Sequence, residues 1–398
     1  MKAAGVIVEF NPLHNGHVEH LRETKRLTQR DKIIAVMSGN FVQRGEPALC
    51  DKWLRARMAL QAGVDIVIEL PVPYVISGAD YFARGSVKLL AATGVVDALC
   101  FGSESGDLAL IKEAAQILAL EPNEYKTALR DGLSKGLSFA AARGMALNAM
   151  LSLAHGDVPE GLLTKPNNGL GMEYCKALCL MGWPMDVYTS YRASGGPSAT
   201  AIRKAVSDSK TVKALPLYIQ ETLPPYVQEL LQKAIKAKEI ARLDDYSEIF
   251  RYLLFTKELN LGEGLENRFR HYANKHLRLT ELLDAVKTKR YTYTRLQRAV
   301  LSIVLGISLS DMTAYESIGG PQYIRVLGFR QDAAGLLGEM TRKASLPVLT
   351  HGKAKVQLEG PAAAMLAKEQ EVGDIYKLAF GKPGEYRHER KAPIITSI

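Results

Sequence analysis

The chain opens on a short apolar run, Ala3-Ala4-Gly5-Val6-Ile7-Val8-Glu9-Phe10, halted by Asn11-Pro12. Three runs of the same kind follow. Lys32 to Met37 is stopped by Ser38-Gly39-Asn40, Asp65 to Leu70 by Pro71, and Asp97 to Phe101 opens into Gly102-Ser103-Glu104-Ser105-Gly106. Between them lie stretches of helical periodicity: from Gly16 through Leu21 to Arg26, from Lys52 to Ala62 before Gly63, and up to Ala92 before Gly94. Short apolar strands bounded by Gly or Pro and separated by helix-length segments predict βαβ units, a parallel sheet covered on both faces. Residues 108–182 read as a mostly helical insertion ahead of a fifth strand, Met185 to Thr189. After it, Ser198 and Thr200 are placed to cap a new helix through Arg203. The pattern therefore predicts an α/β fold over 1–224, a Rossmann-like, doubly wound, parallel sheet of five strands. Past Pro224-Pro225 the strand signals fade, and 225–398 is expected as an α-rich domain.

Composition narrows this picture modestly. A chain of 398 residues suits two or three domains, and 47% apolar against 23% charged residues suits a packed protein. No apolar run reaches membrane-spanning length, and a strand begins within a few residues of Met1, so neither a membrane span nor a signal peptide is expected. Cys50, Cys100, Cys175 and Cys179 lie in apolar surroundings without a paired metal spacing. They read as core thiols of a cytoplasmic protein, and no metal site held by protein ligands is expected. The net charge of +9 favours a polyanionic partner without identifying one.

The candidate chemistry lies in the loops that follow the strands. In open parallel sheets ligands sit outside the strands' carboxyl ends, near the switch in strand order. Those loops carry His14, Gly16 and His17; Ser38, Gly39 and Asn40; Gly102; and Ser198 and Thr200. Gly16 leaves room for a base or ribose against the backbone, and the helix start that follows favours phosphate. His14 and His17 are the candidate catalytic residues, presenting imidazole N–H groups to a phosphate whose equatorial oxygens gain charge during attack. Ser198, Thr200 and Arg203 offer a second anion cradle. Taken alone, His-x-Gly-His reads equally well as a turn with two surface imidazoles.

The paired loops resemble the HIGH-type nucleotidyltransferase superfamily. The segments VIVEFNPLHNGHVEHL, VMSGNFVQRGEPAL, DIVIELPVPY, CFGSESGD, KPNNGLGMEY and SATAIRKA resemble, more closely, the tRNA(Met) cytidine acetate ligase family. RYTYTRLQRA extends the likeness into the second half of the chain. The resemblance implies that acetate attacks the α-phosphate of ATP, giving acetyl-adenylate and pyrophosphate, and that the acetyl group passes to N4 of the wobble cytidine of elongator tRNA(Met). It implies an ATP-binding loop made of Ile7, Val8, Glu9, Phe10, Asn11, Pro12, Leu13, His14, Asn15, Gly16, His17, Val18, Glu19 and His20, completed by Gly102, Asn167 and Arg192. Asn168 competes with Asn167 for that role. Asn40, Gln43 and Arg44 are its candidates for holding acetate or the target base, with a basic surface loop as the plainer reading. Mg²⁺ is inferred to accompany ATP, coordinated mostly by phosphate oxygens.

The second half supplies the side expected to meet RNA. Between Glu266 and Arg298 stand nine Lys or Arg against three acids, interleaved with Tyr272, Tyr291 and Tyr293. Lys287, Lys289, Arg290, Tyr291, Arg295 and Arg298 are the candidate tRNA contacts, cations for phosphates and an aromatic for unpaired bases. No stable protein partner is expected. Two other readings stay open: a small-molecule adenylyltransferase whose product is a dinucleotide, and a non-catalytic RNA-binding protein with a vestigial nucleotide fold.

Overall fold

A computed structural model describes residues 1–159, 161–192, 199–259, 261–262, 264–288, 291–350, 358–381 and 393–397. The chain runs through β1 (Ala3–Val8), α1 (Asn15–Thr28), β2 (Ile33–Ser38), a hairpin of β3 (Phe41–Val42) and β4 (Glu46–Pro47), then α2 (Lys52–Gln61) and β5 (Ile66–Leu70). A short α3 (Val72–Val75), α4 (Ala79–Ala92) and β6 (Val96–Ser103) follow. The expected helical insertion is α5 (Leu108–Leu120), α6 (Asn123–Ser134), α7 (Phe139–His155) and α8 (Pro166–Leu180), and it leads into β7 (Asp186–Tyr191) and α9 (Ala199–Asp208). Next come α10 (Leu217–Gln220), α11 (Pro225–Ala237), α12 (Ser247–Thr256), α13 (Leu265–Ala273), α14 (Leu279–Val286), α15 (Tyr293–Val304) and α16 (Leu309–Ser317). The chain closes with β8 (Ile324–Arg330), α17 (Ala334–Lys343), β9 (Val348–Leu349), α18 (Gly360–Leu378) and β10 (Ile394–Thr396).

The five anticipated strands lie side by side in the order β5-β2-β1-β6-β7, every neighbouring pair parallel. Strand order thus reverses between β1 and β6, which opens a crevice at their carboxyl ends. Both faces are covered, as a continuous apolar strand requires. Ile33, Ala35 and Met37 of β2 face a core shared with Leu21, Trp53, Leu60, Ile202 and Leu231. Their alternates Ile34 and Val36 face the other core, with Leu90, Leu178, Phe250, Val300 and Tyr376.

The sheet has eight strands and not the expected five. Beyond β5 lies β8, antiparallel to it, and β8 pairs in parallel with β9 and β10. The stretch after residue 224 therefore supplies sheet strands as well as helices. Two of the extra strands are too short to leave a pattern. The third, β8, carries Arg325 as its second residue, and that cation cuts its apolar run to Val326-Leu327-Gly328-Phe329. Arg325 is only 7% exposed and its NH1 lies 3.2 Å from Glu69 Oε2 of β5. Lys52 holds the same carboxylate at 2.6 Å. A buried charge of this kind is tolerated because it is paired. Glu69 also explains Gly39, where a Cβ would stand 2.5 Å from Glu69 Oε1.

Cys50, Cys100 and Cys175 are buried, and burial pushes their thiols up to about 12, 11 and 12, so they are inert core groups. Among the described residues no single helix is long and apolar enough to cross a membrane.

Candidate active site

The crevice between β1 and β6 is entered by the loop that ends β1. Phe10 takes φ 46°, uncommon outside glycine, and turns the chain off the strand. His14 then caps α1 with an extended backbone, φ −143° and ψ 170°. Its Nδ1 accepts from the Gly16 N–H at 3.1 Å, while its own N–H donates to His17 Nδ1 at 3.2 Å. The two rings stack with centroids 3.8 Å apart, and Phe10 meets His17 edge-on at 5.1 Å. With each Nδ1 acting as acceptor, each neutral ring carries its proton on Nε2. His14 Nε2 is buried without a partner, a donor waiting for an acceptor. A Cβ on Gly16 would come within 3.1 Å of the His14 ring. The missing side chain at Gly16 thus makes room first for the His14 ring, while the glycine itself stays exposed.

Opposite stand β6 and β7. Gly102 pairs with Ser190, and a Cβ there would meet only Ser190 Oγ at 4.0 Å, leaving open room at the strand end. His20 Nδ1 lies 2.7 Å from the same Ser190 Oγ. Arg192 continues the β6–β7 pairing by donating its N–H to the Ser103 carbonyl at 2.8 Å, and its NH1 lies 3.5 Å from Asn167 Oδ1. The two asparagines separate clearly. Asn168 is buried, its Oδ1 accepting from the N–H groups of Glu104 and Ser105 and its Nδ2 donating to the Gly161 carbonyl. Asn167 is half-buried and joins Glu104 (2.7 Å) to Arg192. Only Asn167 therefore faces the crevice with Arg192.

Burial first, then the Arg192 cation, depresses the imidazoles: His14 and His20 fall to about 4. His17 falls well below its ordinary value, with the neighbouring His14 adding to the effect of burial. All three are neutral donors at physiological pH. Because the folded-state values lie below the unfolded value of about 6.5, the unfolded chain binds protons first as pH falls. Their contribution to stability is complete above about pH 6.5 and is lost on acidification towards pH 4. Glu369, which burial beside Glu69 raises to about 8, works in the opposite direction, as do Glu9 and Asp245, whose carboxyls burial also raises. Relative to a His20→Gln variant, the native urea midpoint is expected to lose more between pH 7 and pH 5, and an identical pH dependence in the two would contradict a neutral, buried His20.

The third wall comes from β2 and the hairpin. Arg55 is fully buried on α2, and its guanidinium donates to the carbonyls of Cys50, Glu9, Ser38 and Gly39. It clamps the carboxyl ends of β1 and β2 together. Glu9 Oε1 accepts from the Gln43 N–H at 2.7 Å and lies 3.4 Å from Ser38 Oγ. Arg203 on α9 donates to Thr200 Oγ1 (3.2 Å), to the Asn11 carbonyl (3.2 Å) and to Glu46 (3.1 Å), tying the first loop to the hairpin. Asn11 and Asn40 each keep a buried side-chain N–H group without a partner.

Not every expected residue reaches the crevice. The Asn15 amide is used on the Glu221 carbonyl, Glu19 is exposed and paired with Arg22, and Val18 packs against the core. Ile7, Val8, Pro12 and Leu13 contribute backbone and packing. Ser198, Lys289 and Arg290 lie outside the described residues. Arg55, Glu104 and Ser190 were not read from sequence. Of these, only Arg55 leaves a signal, as one of two arginines, with Arg57, set among the apolar residues from Trp53 to Leu60.

The basic segment meets the same rim. At the hairpin tip Gly45 has φ +85°, and a Cβ there would stand 2.5 Å from the Arg298 backbone nitrogen, so the hairpin seats directly on α15. Arg295 and Lys287 are exposed and Arg298 is half-buried. Tyr291 departs from expectation: it is buried and the Arg295 guanidinium lies over its ring at 5.1 Å, which removes that face from base stacking.

Comparison with known proteins agrees with this geometry. A family model described as HIGH Nucleotidyl Transferase matches residues 1–391. The tRNA(Met) cytidine acetate ligase of Caldanaerobacter subterraneus subsp. tengcongensis is 41% identical over 397 residues, covering 96% of each chain. That of Halothermothrix orenii is 37% identical and covers 100% of each. The crystal structure of Thermotoga maritima TmcAL bound with alpha-thio ATP superposes with a TM-score of 0.90 at 35% identity, covering 100% of both chains.

Proposed function

This chain belongs to the HIGH nucleotidyltransferase family, and from that premise we propose that it is an ATP-dependent ligase that acetylates the wobble cytidine of elongator tRNA(Met). Acetate attacks the α-phosphorus of ATP, the bond to pyrophosphate breaks, and acetyl-adenylate forms. Cytidine N4 then attacks the acetyl carbonyl and AMP leaves. The observation that carries this reading is the pair of stacked, neutral imidazoles at the start of α1, with His14 Nε2 buried and unpartnered. Two fixed Nε2–H donors at a helix N-terminus stabilise charge gathering on phosphate oxygens without any reorganisation.

In this reading ATP lies along the loop from Ile7 to His20, held by His14, Gly16, His17 and His20, with Gly102, Asn167 and Arg192 on the facing wall. Ser198, Thr200 and Arg203 serve the β- and γ-phosphates. Among the described residues no three His, Cys, Asp or Glu converge as a metal site, so Mg²⁺ enters with ATP, coordinated largely by phosphate and water. The segment 1–224 carries the chemistry. The helices after 225 carry the RNA contact, through Lys287, Lys289, Arg290, Arg295 and Arg298, with Tyr291 supporting Arg295 from below. The protein works in the cytoplasm, where its RNA substrate resides.

Acetate-dependent exchange of labelled pyrophosphate into ATP tests the first half. Exchange that requires acetate supports the reading, and purified protein without exchange overturns it. Dinucleotide formation without RNA would select a small-molecule adenylyltransferase instead. For the RNA side, Arg295→Ala is expected to weaken tRNA binding and reduce the salt dependence by about one counterion. An unchanged slope of affinity against salt would remove Arg295 from the contact.

A further inference from the structure

We propose that Glu9 is the proton acceptor of the second half-reaction, taking the proton that cytidine N4 loses as it attacks acetyl-adenylate. This rests on the acetate–tRNA ligase reading. Glu9 follows the last residue of β1, the strand beside the reversal of strand order. One carboxylate oxygen, Oε1, is fixed by the Gln43 N–H at 2.7 Å and by Ser38 Oγ at 3.4 Å. The other takes no hydrogen bond and no ion pair among the described residues. A half-buried carboxylate with one oxygen anchored and one open is arranged to accept a proton from something in the crevice.

The other candidates are committed elsewhere. Glu46 is paired with Arg203 at 3.1 Å, Glu69 with Lys52 at 2.6 Å, and Glu104 holds Asn167 at 2.7 Å. His14 and His17 spend Nδ1 on the helix cap and offer only N–H donors, and their depressed affinity for protons makes them poor bases. The charged and titratable groups that face Glu9 are Arg55 from α2, Arg203 from α9, Arg44 from the hairpin and the Tyr174 hydroxyl from α8. Burial outweighs the three cations and raises the Glu9 carboxyl above its ordinary value, towards the pH at which it would work. The hairpin that donates Gln43 N–H to Glu9 is the one seated on α15, so the RNA-facing helix and the proton acceptor share one support.

The step balances. The N4 lone pair forms the N–C bond, the C–O bond to the adenylate phosphate breaks, and AMP leaves with that electron pair. The N4 proton moves to the open oxygen of Glu9, which later returns it to water.

The test compares both half-reactions in the full-length chain carrying Glu9→Gln or Glu9→Asp. Acetyl transfer to tRNA(Met) in single turnover is expected to fall by about 10²–10⁴-fold in Glu9→Gln, at least about tenfold more than acetate-dependent exchange, which reports what the same substitution does to the ATP-binding loop. Glu9→Asp should recover part of the transfer. The native transfer rate should rise with pH through one ionisation, which Glu9→Gln should flatten. Equal losses in both half-reactions, or transfer at the native rate with an unchanged pH profile, would overturn the proposal. Absence of exchange in the native protein would overturn the ligase reading itself, a distinct failure.

Discussion

His17→Ala is expected to lower acetate-dependent exchange of pyrophosphate into ATP by about 10²–10³-fold, the cost of removing one fixed donor from a developing oxyanion. His17 Nδ1 is occupied by the His14 N–H at 3.2 Å, which leaves Nε2–H as its only polar contribution to the crevice. The same substitution removes one partner of the α1 capping box, a loss of about 0.5–2 kcal/mol, so the chain should remain folded with a modestly lower Tm. Exchange kinetics and a thermal melt on one sample separate the two effects. Exchange within about threefold of the native rate would exclude His17 from catalysis.

Arg55→Ala should produce the largest loss of stability. The guanidinium is fully buried and its bonds go to backbone carbonyls, including those of Glu9, Ser38 and Gly39, which end β1 and β2. Without it those carbonyls stay buried with fewer donors, at about 1–3 kcal/mol for each group left unsatisfied, and a cavity remains. A loss of about 3–5 kcal/mol is expected from urea titration. Burial already pulls the Arg55 pKa downward, a sign of how thoroughly the charge is desolvated. Arg55→Lys should rescue little, because one ammonium cannot span carbonyls from two strands. A loss below about 1 kcal/mol would contradict the clamp.

How much of this was legible depends on which interactions are local. The strands β1, β2, β5, β6 and β7 could be read because apolar runs, Gly and Pro stops and helix-length spacers all lie along the chain. The strand β8 could not, because Arg325 is admitted by Glu69, more than two hundred residues earlier, and no local pattern announces that partner. His14 and His17 were visible as a pair because a residue that caps a helix meets the third residue of that helix through the capping box, although the ring stacking and the unpartnered Nε2 were not. Asn167 and Asn168 were indistinguishable in sequence, since Glu104 and Arg192 tell them apart only in space. Tyr291 misled for a related reason: an aromatic among cations suggests base stacking, yet the ring is buried beneath Arg295. Arg55 and Glu9 lay in view as charges within apolar stretches, and what each one touches is settled by the fold.

The central claim is acetyl transfer from ATP-activated acetate to a tRNA cytidine, and mass spectrometry of nucleosides from elongator tRNA(Met) incubated with the protein, ATP and acetate tests it most directly. N4-acetylcytidine at the wobble position, formed in step with AMP and absent when either ATP or acetate is omitted, is the predicted result. Unmodified cytidine in tRNA that the protein demonstrably binds would contradict it.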